Sequence, residues 1–190
     1  RIATSYGPTA SLVHAGAQAS EERVKADMSR AKILHFAGPA ILDDASPMSS
    51  FIGLSSAQSQ PSSAIGQPSR ATRQDGFLQN RELMDLQSTA ELVVAPTMRH
   101  TAAFTGDAAV GFSWSWFVAG TGQTLVSRWQ IESAAPSTFL TGFYSSIKPA
   151  NRLPVSKARA LRQSVLKLRR SADYQHPYYW ASYAMIGDAR

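Results

Sequence analysis

Apolar positions along the chain gather into short strand-length runs separated by segments with helical spacing. Ser20-Glu21-Glu22 ahead of RVKADMSRA predicts a helix, with a hydroxyl at the N-cap and two acids in the positively polarised first turn. It feeds Lys32-Ile33-Leu34-His35-Phe36-Ala37, an apolar run that stops at Gly38-Pro39 and predicts a buried strand. Asp75-Gly76 reads as a turn, and Leu83 and Leu86 place a helix over 80–86. Glu91 to Ala95 predicts a second strand closed by Pro96, and Thr124 to Trp129 a third. Between them, AAVGFSWSWFVA is apolar on nearly every side, which predicts a largely buried helix from Asp107, its candidate N-cap, to Gly120. Phe139, Leu140, Phe143, Tyr144 and Ile147 share one helical face. Ser156 caps a further helix with Ala158, Leu161, Val165 and Leu168 as its stripe, and His176 to Trp180 docks a last strand, Ala181 to Ile186.

This alternation predicts an α/β fold with a mostly parallel central sheet covered on both faces by helices. Residues 55–74 are rich in Ser, Gln, Pro and Gly and predict a mobile surface loop. With 190 residues, 44% of them apolar, one core and a single domain over 1–190 are expected. Because the chain starts at Arg1 and not at Met, it is expected to be a piece of a longer protein.

Composition then narrows the chemistry. No apolar run reaches the roughly 20 residues of a membrane span and no signal-peptide core is present, so the expectation is a cytoplasmic chain with no membrane partner. The chain has no Cys, which excludes disulfides, thiolate metal sites and a cysteine nucleophile. The formal charge is +6, and eight of the 19 basic residues fall between Lys148 and Arg170.

Several stretches in order resemble the CHAT domain, a bacterial relative of caspases and separases among the His/Cys proteases. They are Ala31 to Ala37, Leu42 to Asp44 with Pro47 to Ser50, Asp75 to Leu78, Glu91 to Val94, Trp116 to Gly120, Val126 to Trp129 and His176 to Trp180. The resemblance implies a caspase-like α/β/α sandwich with a catalytic dyad at the ends of two neighbouring strands. In the family the first strand runs into H-x-A-T-H-G, whose second His is the general base. The same stretch here reads His35-Phe36-Ala37-Gly38-Pro39-Ala40, which places Pro39 at the base. The second strand runs into Ser-Ala-Cys-Gln-Thr-Gly in the family and into Pro96-Thr97-Met98-Arg99-His100-Thr101 here, which places Met98 at the nucleophile. A thioether has no proton to lose and proline offers no side-chain base, so the resemblance implies a degenerate dyad.

Two other readings compete. A hydrolase rewired around Thr97 or Thr101 with His100 or His35 needs a histidine nitrogen about 3 Å from the hydroxyl. His35 is better read as a core or near-core histidine. The basic helix 156–170 offers a nucleic-acid or acidic-partner surface, yet its cations are expected to surround the apolar stripe and no stacking aromatics interleave with them, so nucleic acid is disfavoured. Asp43-Asp44 reads as a cap or solvated loop rather than a metal site, and no cofactor is expected. The leading expectation is a pseudoprotease with no catalytic residues of its own, acting in protein–protein interaction or regulation. Family architecture makes a helical-repeat region of the same full-length chain a candidate partner; the oligomeric state stays open.

Overall fold

The computed structural model describes residues 2–56, 75–95, 98–100, 106–148, 153 and 155–188, with the backbone alone for Met98 and His100. In chain order the helices are α1 (Ile2–Tyr6), α2 (Glu21–Met28), α3 (Asn80–Leu83), α4 (Asp107–Val118), α5 (Ala135–Ile147), α6 (Lys157–Arg170) and α7 (Pro177–Trp180). The strands are β1 (Ile33–His35), β2 (Ala40–Leu42), β3 (Phe51–Gly53), β4 (Phe77–Gln79), β5 (Leu92–Ala95), β6 (Met98–His100), β7 (Gln123–Ser127) and β8 (Tyr183–Gly187).

The central sheet has the order β1-β5-β7-β8, parallel except for β8. All four residues of β5 and all five of β7 are buried, as the continuous apolar run of a strand covered on both faces requires. Alternation along β5 divides the core. Val93 and Ala95 pack with Met28, Leu83, Phe112 and Trp116, from α2, α3 and α4. Leu92 and Val94 pack with Phe139, Phe143, Ala160 and Leu168, from α5 and α6. The result is the expected α/β/α sandwich. Helices α5 and α6 approach closely because Gly142 lies under Ser164; a Cβ at position 142 would come within 3.2 Å of the Ser164 hydroxyl.

A second sheet, order β4-β3-β2-β6, was not expected. Strand β2 pairs parallel with β6 and antiparallel with β3, and β3 pairs antiparallel with β4. Each of these strands has three residues, too few to show a period of two, and pairing rather than propensity makes them extended. The predicted helix over 80–86 keeps its start, where a capping box in which the Gln79 amide donates to Glu82 begins α3 directly after β4, but ends early, at Leu83.

Three further expectations are corrected. Of the predicted loop, residues 57–74 lie outside the described residues, whereas Ser55 is fixed: its amide donates to the Ala19 carbonyl at 2.8 Å, next to a bridge between Ser20 and Ser55. Helix α4 is not capped by Asp107. Its N-cap is Gly106 at φ 98°, and Asp44 Oδ1, from a distant segment, accepts from the Gly106 and Ala108 amides at 3.2 Å each. The helix is otherwise largely buried as expected, with one side facing the sheet. Val110, Trp114 and Val118 stand 60%, 57% and 44% exposed on the other. Finally, the stripe of α6 is rotated from the expected line: Ala160, Ser164 and Leu168 are buried, with Leu161 and Val165 partly so.

The cap supplied by Asp44 joins the β2–β3 connection to the start of α4, so its loss should register as lost stability. We predict that Asp44→Ala lowers the unfolding free energy by about 1 kcal/mol, with a further loss from the negative charge near the helix N-terminus. Urea denaturation of the two proteins checks this; equal midpoints would exclude the capping role.

Candidate functional site

Strands β1 and β5 pair in parallel with His35 opposite Val94. In the second sheet, Ala40 of β2 lies opposite Met98 of β6. Pro39 is the fourth residue after His35 and Met98 the fourth after Val94, while the rung itself joins Met98 to Ala40, the residue after Pro39. The two sequence-predicted dyad positions are therefore brought to neighbouring rungs of adjacent strands. Pro39 is held there by its carbonyl, which accepts from the Gly53 amide at 2.9 Å. A Cβ at position 53 would meet the proline ring at 3.5 Å, ordinary van der Waals contact.

The fallback candidates are distributed differently. Thr97 and Thr101 lie outside the described residues. His100 pairs through its backbone with Leu42. His35 points to the α5 side of the sheet, where its Nδ1 is 2.8 Å from the Tyr144 hydroxyl and the rings are 5.6 Å apart. Burial drives the imidazole pKa down to about 4, so the ring is neutral at physiological pH. Burial, with Tyr6 close by, pushes the Tyr144 phenol well above its ordinary range. Two neutral groups sharing one hydrogen hold each other in place and leave neither a charged acid nor a nucleophile. Tyr6 closes the cluster edge-on to Tyr144 at 5.9 Å, and Lys148 lies over the Tyr6 ring at 4.4 Å.

Around β6 the structure adds contacts that sequence reasoning missed. Arg99 Nε donates to Gln130 Oε1 at 2.7 Å, the Tyr178 hydroxyl donates to the Gln130 carbonyl at 2.9 Å, and Trp129 Nε1 donates to the Tyr178 carbonyl at 3.0 Å. Arg128 lies over the Trp129 ring at 5.2 Å and donates to the Ala181 carbonyl. These contacts join residues about 30 to 50 apart, and no local pattern announces them.

Asp43 and Asp44 act as caps, the first accepting from the Ala45 and Ser46 amides at 3.0 and 3.2 Å. Among the described residues no group of three His, Asp or Glu side chains is placed to hold a metal ion. Two shallow clefts, of about 420 and 330 Å³, lie away from Pro39 and Met98. The larger is between α5 and α6, the smaller beside Glu91, Gly122 and Lys157. No helix among the described residues is long and apolar enough to cross a membrane.

The six cations of the basic helix spread around the apolar stripe, with Lys157 and Lys167 beside the buried line, but four of them are clustered: Arg159, Arg162, Arg169 and Arg170 are all exposed and share an arc of about 100° opposite that line. Lys157 alone is turned toward an acid, helping to hold Glu91 below the ordinary carboxylate range, after the larger effect of its hydrogen bond from Lys32.

Comparison with known proteins gives a consistent picture. The family model of the CHAT domain matches residues 3–188. Tetratricopeptide repeat protein 28 from Homo sapiens is 27% identical over 192 residues, covering 90% of this chain and 8% of that protein. The Mus musculus protein of the same name is 28% identical over 107 residues, covering 56% of this chain and 4% of its own length. The chain thus spans less than a tenth of either relative.

The His35–Tyr144 pair has a measurable signature. Folding lowers the imidazole pKa from 6.5 to about 4, so between those values the unfolded state binds more protons and stability falls as pH falls. The contribution is complete above pH 6.5 and amounts to roughly 3 kcal/mol. We predict that His35→Gln, which keeps a hydrogen-bonding partner for Tyr144, removes this component of the acid destabilisation. Denaturant titrations at pH 7, 5.5 and 4 would refute it if both proteins lost stability in parallel.

Proposed function

The chain belongs to the CHAT domain family, and from that premise we propose that it is a protease-fold domain without protease chemistry, used for protein–protein interaction. The observation that carries this reading is the rung on which Ala40 faces Met98 directly after Pro39. Cysteine proteolysis needs a thiolate and a base within reach of its proton. At these neighbouring positions the chain has a thioether and a ring with no free side-chain nitrogen, and it contains no cysteine with which to replace them. The neighbouring histidine, His35, is neutral and occupied by Tyr144, which weakens the case for a substitute base drawn from β1.

What remains is a rigid sandwich whose surfaces are available for binding. Both relatives carry tetratricopeptide repeats in their names, and this chain corresponds to a small share of each. We infer that the 190 residues form one cytoplasmic domain of a longer protein and that its partner is a protein, with a helical-repeat region of the same full-length chain as the first candidate. Fold alone does not convey function, so the weight rests on the two vacated positions.

Incubation of the purified chain with a mixed peptide library, read by mass spectrometry, is expected to yield no new cleavage products. Turnover that disappears in His100→Ala or Thr97→Ala would overturn the inert reading in favour of a rewired Thr/His site. The register itself is tested by rebuilding. In Pro39→His with Met98→Cys, the new thiol should ionise about one pKa unit lower than in Met98→Cys alone, because an imidazolium one rung away stabilises the thiolate. Iodoacetamide labelling across pH measures both; superimposable profiles would show that the two positions do not communicate.

A further inference from the structure

The positive charge of this chain has a single source. Between residues 133 and 172 there are eight cations and no acid, so the rest of the chain carries 11 cations against 13 acids. Helix α5 contains no charged residue, two of the eight cations, Lys148 and Arg152, lie between the helices in sequence, and α6 carries the other six.

The arrangement on α6 is not explained by the helix itself. Lys167, Arg169 and Arg170 in the last turn complement the negative end of the dipole. Arg159 and Arg162 lie in the first half, next to a first turn with no acid, where the dipole opposes them. Among the described residues none of Arg159, Arg162, Lys167, Arg169 and Arg170 takes part in an ion pair. These cations repel one another without an internal counter-charge.

Shape adds a second constraint. Leu166, half-buried, stands at the centre of the arginine arc. It also lines the cleft of about 420 Å³ with Thr138, Gln163, Lys167, Arg170 and Ser171. An apolar side chain in the middle of a phosphate track contributes nothing to phosphate binding. A small apolar centre with an arginine rim is how protein interfaces are built. Four of the five exposed cations are arginines, whose planar forks match carboxylates bidentately. Arg162 and Arg169 are two turns apart, about 10.5 Å, the spacing of two carboxylates seven residues apart on a partner helix.

We propose that the outer face of α6, with the cleft it forms against α5, docks an acidic amphipathic helix of a partner protein. Carboxylates of that helix pair with Arg159, Arg162, Arg169 and Arg170, and an apolar side chain seats on Leu166. This rests on the reading of the domain as a binding unit and names the chemistry of what it binds.

The test uses fluorescence anisotropy at near-physiological ionic strength. The probes are a labelled helical peptide of glutamate and alanine with one central leucine, its leucine-to-alanine control, and a short oligothymidylate. The leucine peptide is expected to bind tightest. Arg162→Glu with Arg169→Glu should weaken it about tenfold. Leu166→Ala should weaken it about fivefold while leaving the control peptide unchanged. Oligothymidylate binding as tightly as the leucine peptide, with no effect of Leu166→Ala, would overturn the proposal in favour of a nucleic-acid surface. Self-association of the chain alone that the double charge reversal abolishes would reassign the face to a second copy, and failure of every probe to bind would reject it. Mass spectrometry of the recovered peptide separates the two readings: a cleaved peptide sinks the inert assignment while leaving the docking face intact, and absent binding with intact peptide does the reverse.

Discussion

Parallel pairing made twice by the same two stretches of sequence is the constraint on which this molecule is organised. β1 and β5 run side by side in parallel, and later in the same two stretches of sequence β2 and β6 pair in parallel as well. The paired positions His35 and Ala40 are five apart in sequence while Val94 and Met98 are four apart, so the register shifts by one between the two sheets and Pro39 stands one residue before the rung of Met98. With equal counts Pro39 itself would have faced Met98, so the length of each connection decides which side chains share a rung. The Gly53 amide fixes the crossing by donating to Pro39, so the antiparallel β3 is not an accessory but the clamp on the break between β1 and β2.

Burial on two faces then determines what the interior histidine can do. Side chains alternate along β1, so Leu34 and Phe36 pack with the α2–α4 layer while His35 faces α5. There the cost of charging an imidazole far from water is met by staying neutral, and the Tyr144 hydroxyl satisfies the ring. A histidine in a protease fold invites a catalytic reading, yet this one is a packing residue with a hydrogen bond. Its position within the strand, ahead of the break, is what separates it from the positions past the break where reacting groups would have to sit.

Much of this was legible in the sequence wherever a segment carried its own period or its own punctuation. The buried runs at 33–35, 92–95 and 123–127 were readable as strands, and Ser20 and Ser156 announced helix starts that the structure keeps, with each hydroxyl accepting an amide hydrogen from three residues on. What escaped notice was made by partners far along the chain. β2, β3, β4 and β6 are three residues each and exist because they pair with one another. The cap of α4 comes from Asp44, more than 60 residues away, so the nearby Asp107 was a reasonable but mistaken choice. The exposed line of Val110, Trp114 and Val118 was not legible in AAVGFSWSWFVA, which is apolar on nearly every side. A helix lying on one side of a sheet can bury only the half that faces it.

The same one-sidedness governs α6, where charge makes the exposed half informative. On α4 the outer face is apolar and on α6 it is cationic, so the sandwich presents two chemically distinct outer layers. The cations of α6 are also set apart in sequence from the acids: the ion pairs around α2 and the start of β1 join Glu21, Asp27 and Glu91 to Lys25, His14, Arg30 and Lys32, and none of these pairs involves the arginine arc. A surface charge left without an internal partner weakens the folded state through self-repulsion and adds attraction toward acidic surfaces from a distance. The inner line of α6, Ala160, Ser164 and Leu168, is buried against the sandwich and fixes the backbone from which the arginines project. A fixed backbone reduces the ordering entropy that a partner's carboxylates would otherwise have to overcome, and it is on that physical ground that the arginine face is suited to recognition.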